Sequence, residues 1–401
     1  MILVAAVIYT CGETYRYITD AIPDKINIKA DSDEMYELNI PAAASVVSAD
    51  SSVSVINNNL CVKTNEKGKY RVDVKLFGIF NFKSIDINVI ENMRVIPCGY
   101  PVGIYLETDG VMVIGTGEVV GMNGNVSNPA ENKVNSGDYI TSLNGISVNS
   151  KSQLSFLINK YGNSEIILGL KRNGKNTNVK IKPVETGIME YKAGIWVRDD
   201  TQGIGTLTFI TENDKFGALG HGISDIDTGE LLASDKGILY EADVWGIKKG
   251  ENGRPGGLCG VIQYEENSIL GEIDANTNQG IFGSINKKIY DSIDMEGVDI
   301  CLKQNVKKGR AKIRCYVENK FKDYDIEILN VDRNSLDGNK GLVIQVTDPE
   351  LLRITNGIVQ GMSGSPILQD NKIVGAVTHV FINDPTKGYG IFIEDMLAAD
   401  M

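Results

Sequence analysis

Ser363 stands in Gly361-Met362-Ser363-Gly364-Ser365-Pro366, a serine between glycines ahead of a proline. Nucleophilic attack on a peptide carbonyl needs this kind of segment. A tight turn exposes the hydroxyl, the first glycine lets backbone N–H groups turn toward a developing oxyanion, and small neighbours leave room for a substrate. Residues 366–368, 369–371 and 372–377 then read as strand, turn, strand. Taken alone, the segment could equally be a glycine-serine loop between strands.

A serine nucleophile needs a base, and the chain holds two histidines, His221 and His379. His221 lies among small residues in Phe216-Gly217-Ala218-Leu219-Gly220-His221-Gly222, after an apolar run at 205–210. His379 lies in Ala376-Val377-Thr378-His379-Val380-Phe381, which reads as a buried strand, where a histidine is usually a packed core residue. His221 is therefore the favoured base. The base needs an orienting acid. Asp348, in Thr347-Asp348-Pro349, closes a strand read over 341–346 and could point into a cleft. Asp-Pro could also simply start a turn, and Asp225 and Asp227 are rivals because they sit so close to His221.

These pieces together resemble the stage IV sporulation protein B (SpoIVB) serine peptidases of endospore-forming bacteria. The matching segments are 216–222, 347–349, 356–366, 375–380, Asn383-Asp384-Pro385 and Gly388-Tyr389-Gly390-Ile391, and the likeness extends from about Lys69 to the end. It implies a mainly β protein with a trypsin-like double β-barrel in which Ser363 is the nucleophile, His221 the base and Asp348 the orienting acid. Analogy with the glycine-serine turn of that fold makes the Gly361 and Ser363 N–H groups the oxyanion donors. Asp348 lies much nearer the serine in sequence than the acid of ordinary trypsin-like enzymes. The resemblance further implies export across the inner forespore membrane into the intermembrane space, membrane association before release, and self-cleavage near the N-terminus. It also implies cleavage of a membrane-associated regulator, which frees an intramembrane metalloprotease to activate a sigma factor.

Residues 96–186 resemble a PDZ domain through Asn128-Pro129-Ala130-Glu131, Ser136-Gly137-Asp138-Tyr139-Ile140 and Leu143-Asn144-Gly145. Residues 101–106 look like its carboxylate-binding loop and strand, so Val102, Gly103 and Ile104 are the expected peptide contacts. Such a domain adds an extended peptide as a strand. The ligand would be a peptide C-terminus or the protein's own N-terminal segment. Leu154, Leu157, Ile158 and Tyr161 have helical spacing and read as core.

The remaining regions follow from pattern. Residues 24–95 alternate apolar and polar and read as a small β-sandwich. Residues 187–401 lack strong helical periodicity until Ile393-Glu394-Asp395-Met396-Leu397-Ala398-Ala399, which suits barrels followed by one helix. Residues 1–23 begin with a nine-residue apolar run, shorter than the roughly twenty residues a spanning helix needs; it reads as the remnant of a signal-like anchor, or as a linker. A formal net charge of −12 argues against nucleic acid as a partner. Six cysteines form no Cys-x-x-Cys pair, so no metal or other cofactor is expected. Cys301 and Cys315 could pair across a hairpin or remain thiols, and Cys259 is a rival nucleophile lacking a glycine-serine turn. The alternative to an enzyme is a PDZ scaffold carrying a silent peptidase fold.

Overall fold

The computed structural model describes residues 92–399 apart from 235, 294 and 295. Before them it describes residues 15, 22, 24–29, 35–37, 44–48, 53–56, 59–62, 68–76 and 79–90. The anchor expected at 1–23 thus lies almost wholly outside the described residues. Among those described, no helix is long and apolar enough to cross a membrane.

The chain is mainly β. Its N-terminal region holds a four-stranded sheet, ordered Lys25–Lys29, Phe80–Ile90, Gly68–Leu76, Ala44–Ser48, and a three-stranded sheet of Met35–Glu37, Asn59–Val62 and Val53–Ile56. Alternation sets the faces: Val72 and Val74, with Ile85, Ile87 and Val89 across the hairpin, are buried while their neighbours are less so.

Two six-stranded closed barrels follow. The first runs Arg94–Thr116, Ile195–Thr211, Lys215–Ala218, Gly280–Ile285, Ile269–Thr277, Lys236–Lys248 and back to Arg94–Thr116. The second runs Gly309–Val317, Lys320–Val331, Leu342–Val346, Asp384–Phe392, Lys372–Phe381, Pro366–Gln369 and back to Gly309–Val317. Its first hairpin shows why this stretch folds as it does. Ala311, Ile313, Cys315 and Val317 alternate inward and meet Tyr324, Ile326 and Ile328, while Arg314 and Asp323, directly opposite, pair at 2.7 Å on the partly solvated face. Cys301 and Cys315 are both buried and in no disulfide, as is Cys98.

The PDZ-like unit is inserted in the chain between the first two strands of the first barrel rather than preceding it. The Arg94–Thr116 strand spends residues 95–107 in the barrel and then passes into the PDZ sheet, where Val111 and Met112 pair with Ile140 and Tyr139. The chain returns through Ile195–Thr211, which pairs with the same strand along its length. The barrel therefore begins at Arg94, not at residue 187 as the sequence suggested, and both units share two continuous strands.

This corrects the expected peptide contacts. Val102, Gly103 and Ile104 pair on one side with residues 203–205 and on the other with Leu239, Tyr240 and Glu241. Both hydrogen-bonding edges are taken, so no peptide strand can add there. Gly103 is small for another reason: a Cβ on it would stand 2.4 Å from Ile262 Cγ2. In the PDZ sheet, the place beside residues 112–116 is filled by the chain's own Ile195–Arg198, and Lys151 of the Lys151–Tyr161 helix is tied to that strand through Asp199.

Candidate active site

Ser363 and His221 come together at the junction of the two barrels. The nucleophile turn is pinned to the first barrel by Thr206, which donates its N–H to Ser363 O (3.2 Å) and its hydroxyl to Gly361 O (2.6 Å). Thr206 O in turn accepts from Leu219 N–H at 3.1 Å, two residues before His221. Both glycines of the turn have positive φ, +96° at Gly361 and +97° at Gly364. A Cβ on Gly364 would stand 2.2 Å from Thr206 O, so glycine is what lets the turn close onto the other barrel. Gly364 N–H donates to Val377 O and Ser365 N–H to Met362 O. Among the described residues, no carbonyl takes up the N–H groups of Gly361 or Ser363.

The Ser363 hydroxyl is half-buried and donates to Thr378 O at 2.7 Å. It does not bond to His221 in this conformation. Rotation about χ1 is what would turn the proton toward an imidazole, and loose apo geometry of this kind is common in peptidases. His221 Nδ1 lies 2.8 Å from Gly222 O. A carbonyl only accepts, so Nδ1 carries the proton and Nε2 presents the lone pair when the ring is neutral. Burial pushes the His221 pKa below the ordinary imidazole value, and the Gly222 carbonyl opposes this only in part.

The loop bearing His221 is held by a clamp of asparagines. Asn276 accepts from Ile223 N–H and donates to Ile223 O and Leu232 O, and Gly222 N–H donates to Asn278 O. Asn339 reaches across from the second barrel, donating to Asn278 O while its own carbonyl accepts the Thr378 hydroxyl. Asparagine spacing alone carries no signal for such a bridge.

His379 stands beside this site. Its ring centroid is 4.9 Å from that of His221 at a 34° tilt, and the residue is exposed rather than buried in its strand. Partial desolvation, then the nearby His221 when protonated and the Lys340 ammonium, lower its pKa.

Asp348 is elsewhere, which corrects its expected role. It is the N-cap of the Pro349–Thr355 helix, accepting from Glu350 N–H and Leu351 N–H on one oxygen and Asp325 N–H on the other. Burial raises its pKa, but these N–H groups outweigh that and hold the carboxyl below its usual range. The Leu342–Val346 strand separates the Asn339 end, beside Thr378, from Asp348; five residues at about 3.3 Å each span roughly 16 Å. Asp225 and Asp227 are also spoken for, both paired to Arg198. No carboxylate orients His221 among the described residues; the Gly222 carbonyl stands in that place.

A cap and a triad acid respond differently to substitution. Asp348→Asn should keep labelling by a serine-reactive probe and lower the melting temperature only slightly, because asparagine still caps the helix through its one carbonyl oxygen while Asp325 N–H loses its acceptor. Asp348→Ala should cost about 1 kcal/mol of stability while the folded protein still labels. A folded Asp348→Asn protein with labelling reduced about ten-thousandfold would restore Asp348 to the triad.

The model of the SpoIVB peptidase S55 family matches residues 189–397. The chain belongs to the SpoIVB peptidase S55 family. The match takes in Ser363 and His221, and membership makes the protein a sporulation serine peptidase. No curated protein matches the chain. Solved structures similar to parts of it include the PDZ domain of an SdrC-like protein from Listeria monocytogenes, 23% identical over 22% of this chain and 87% of that one, with a TM-score of 0.19. Rv3671c protease of M. tuberculosis, in an inactive form, is 12% identical over 49% and 83%, with a TM-score of 0.28. The HtrA-type protease AlgW with a decapeptide is 10% identical over 51% and 53%, with a TM-score of 0.30. The functional reading rests on the S55 family and the site's own geometry.

Proposed function

We propose that this S55 peptidase cleaves its substrate through a Ser363–His221 pair. The observation that carries this is the stitching of the Ser363 turn, through Thr206, to the residues just before His221. Ser363 swings from the Thr378 carbonyl toward His221 Nε2. The imidazole takes the hydroxyl proton as the oxygen attacks the peptide carbonyl, and it returns that proton to the leaving amine. The N–H groups of Gly361 and Ser363 receive the oxyanion, each such donor being worth about a hundred- to a thousandfold in rate. Water then hydrolyses the acyl-enzyme.

The substrate class is protein or peptide. Following the family, the role is sporulation signalling in the intermembrane space of the forespore. The enzyme cleaves itself and a membrane-associated regulator of an intramembrane metalloprotease, which leads to sigma factor activation. Labelling of the full chain by a fluorophosphonate probe is the direct test of an activated serine. The alternative is a latent scaffold, and one observation favours it: the Ser363 hydroxyl is occupied by Thr378 O. Absence of labelling in folded protein would support that reading.

The pH profile checks the base. Only neutral His221 can accept the proton, and its pKa lies below the ordinary imidazole value of 6.5. Labelling should therefore stay on its plateau from pH 8 down past 6.5 and fall only below it. A midpoint at or above 7 would instead mean that a carboxylate pairs with the imidazolium in solution.

A further inference from the structure

The two histidines of this chain stand side by side with their ring centroids 4.9 Å apart. They come from different barrels, His221 from the loop after Lys215–Ala218 and His379 from Lys372–Phe381, so the fold rather than local sequence brings them together. Each has a nitrogen to offer. His221 Nδ1 is committed to Gly222 O, which leaves Nε2. His379 is exposed, and among the described residues nothing hydrogen-bonds its ring. A tetrahedral zinc ion, with Zn–N near 2.0–2.1 Å, holds two imidazole nitrogens about 3.4 Å apart. Each nitrogen lies about 1.1 Å from its ring centroid, so two imidazoles sharing such an ion have centroids roughly 5 Å apart, and the 4.9 Å observed here matches that separation.

We propose that His221 and His379 together form a two-imidazole site for a borderline-soft divalent cation, zinc foremost, that reversibly silences the peptidase. Imidazole nitrogens suit zinc, copper and nickel and not the harder calcium or magnesium. Among the described residues no third His, Cys, Asp or Glu joins the pair. The remaining coordination positions fall to water, so the ion is an exchangeable inhibitor and not a structural staple, which takes four protein ligands. Bound there, it covers the Nε2 lone pair that would take the Ser363 proton. The inhibitory consequence rests on His221 as the base; the binding itself does not.

The test uses the full chain, stripped of metal with a chelator. Zinc chloride is titrated against the rate of fluorophosphonate labelling in the wild type, His379→Ala and His379→Phe, each compared with its own metal-free rate. The phenylalanine variant keeps a ring beside His221 should the alanine fail to fold. At ten times the dissociation constant, wild-type labelling should fall about tenfold, while the variants should barely respond. In parallel, cobalt(II) is added to Ser363→Ala protein with and without the His379 change, and the visible absorption of the bound ion is read. Absorption that vanishes with His379 supports the site. Zinc slowing all proteins alike, or cobalt absorption indifferent to His379, overturns it. His379-dependent cobalt binding with no effect of zinc on labelling keeps the metal site and removes His221 from the role of base.

Discussion

Ser363→Ala is expected to abolish fluorophosphonate labelling and peptide cleavage while leaving a folded protein. Removing the nucleophile or base of a serine peptidase costs on the order of a millionfold in turnover, because the two act as a unit. The fold should survive because the lost hydroxyl makes one hydrogen bond, to Thr378 O, worth about 1 kcal/mol. The glycines and backbone bonds that shape the turn remain, including Gly364 N–H to Val377 O. His221→Ala should match it in activity, since the proton would have no acceptor. An active, purified Ser363→Ala protein would sink the nucleophile assignment, and with it Cys259 would become the serine's rival again.

A fragment of residues 187–401 is expected not to fold and not to label, whereas one of residues 92–401 should do both. The shorter fragment contains both histidines and Ser363 but lacks the strand beginning at Arg94. That strand bridges Ile195–Thr211 and Lys236–Lys248 and closes the first barrel. It places Val102, Ile104 and Leu106 in the core, each no more than 2% exposed. Burying such side chains contributes about 1.5–3 kcal/mol apiece, so their loss approaches the 5–15 kcal/mol that holds a typical domain together. Two strands would also lose their partner and expose open edges, which invites aggregation. Circular dichroism and thermal unfolding decide the matter: a cooperative transition with labelling in the 187–401 fragment would show that the barrel closes without Arg94–Thr116. The result bears on the PDZ-like unit too, because that unit cannot be excised without cutting the two strands it shares with the barrel.

Residue types alone made Ser363 and His221 the candidates, through a glycine-serine turn and a histidine among small residues, but the same turn could have been a plain loop, and only the tertiary structure ties it through Thr206 to the residues before His221. Period-two patterning announced the β class, and the Leu154, Leu157, Ile158 stripe announced the helix that buries it. Sequence could not place Asp348. Its motif, aspartate then proline then glutamate, is the signature of a helix N-cap as much as of a strand end, and only the hydrogen bonds to Glu350 and Leu351 decide between them. Nor could it show that Val102, Gly103 and Ile104 lie in the barrel. A strand bonded on both edges and a strand awaiting a peptide have the same local sequence, because backbone pairing depends on which segments return from far along the chain. The meeting of His379 with His221 has the same cause: 158 residues separate them in sequence (379 − 221), and only the packing of one barrel against the other sets their rings 4.9 Å apart.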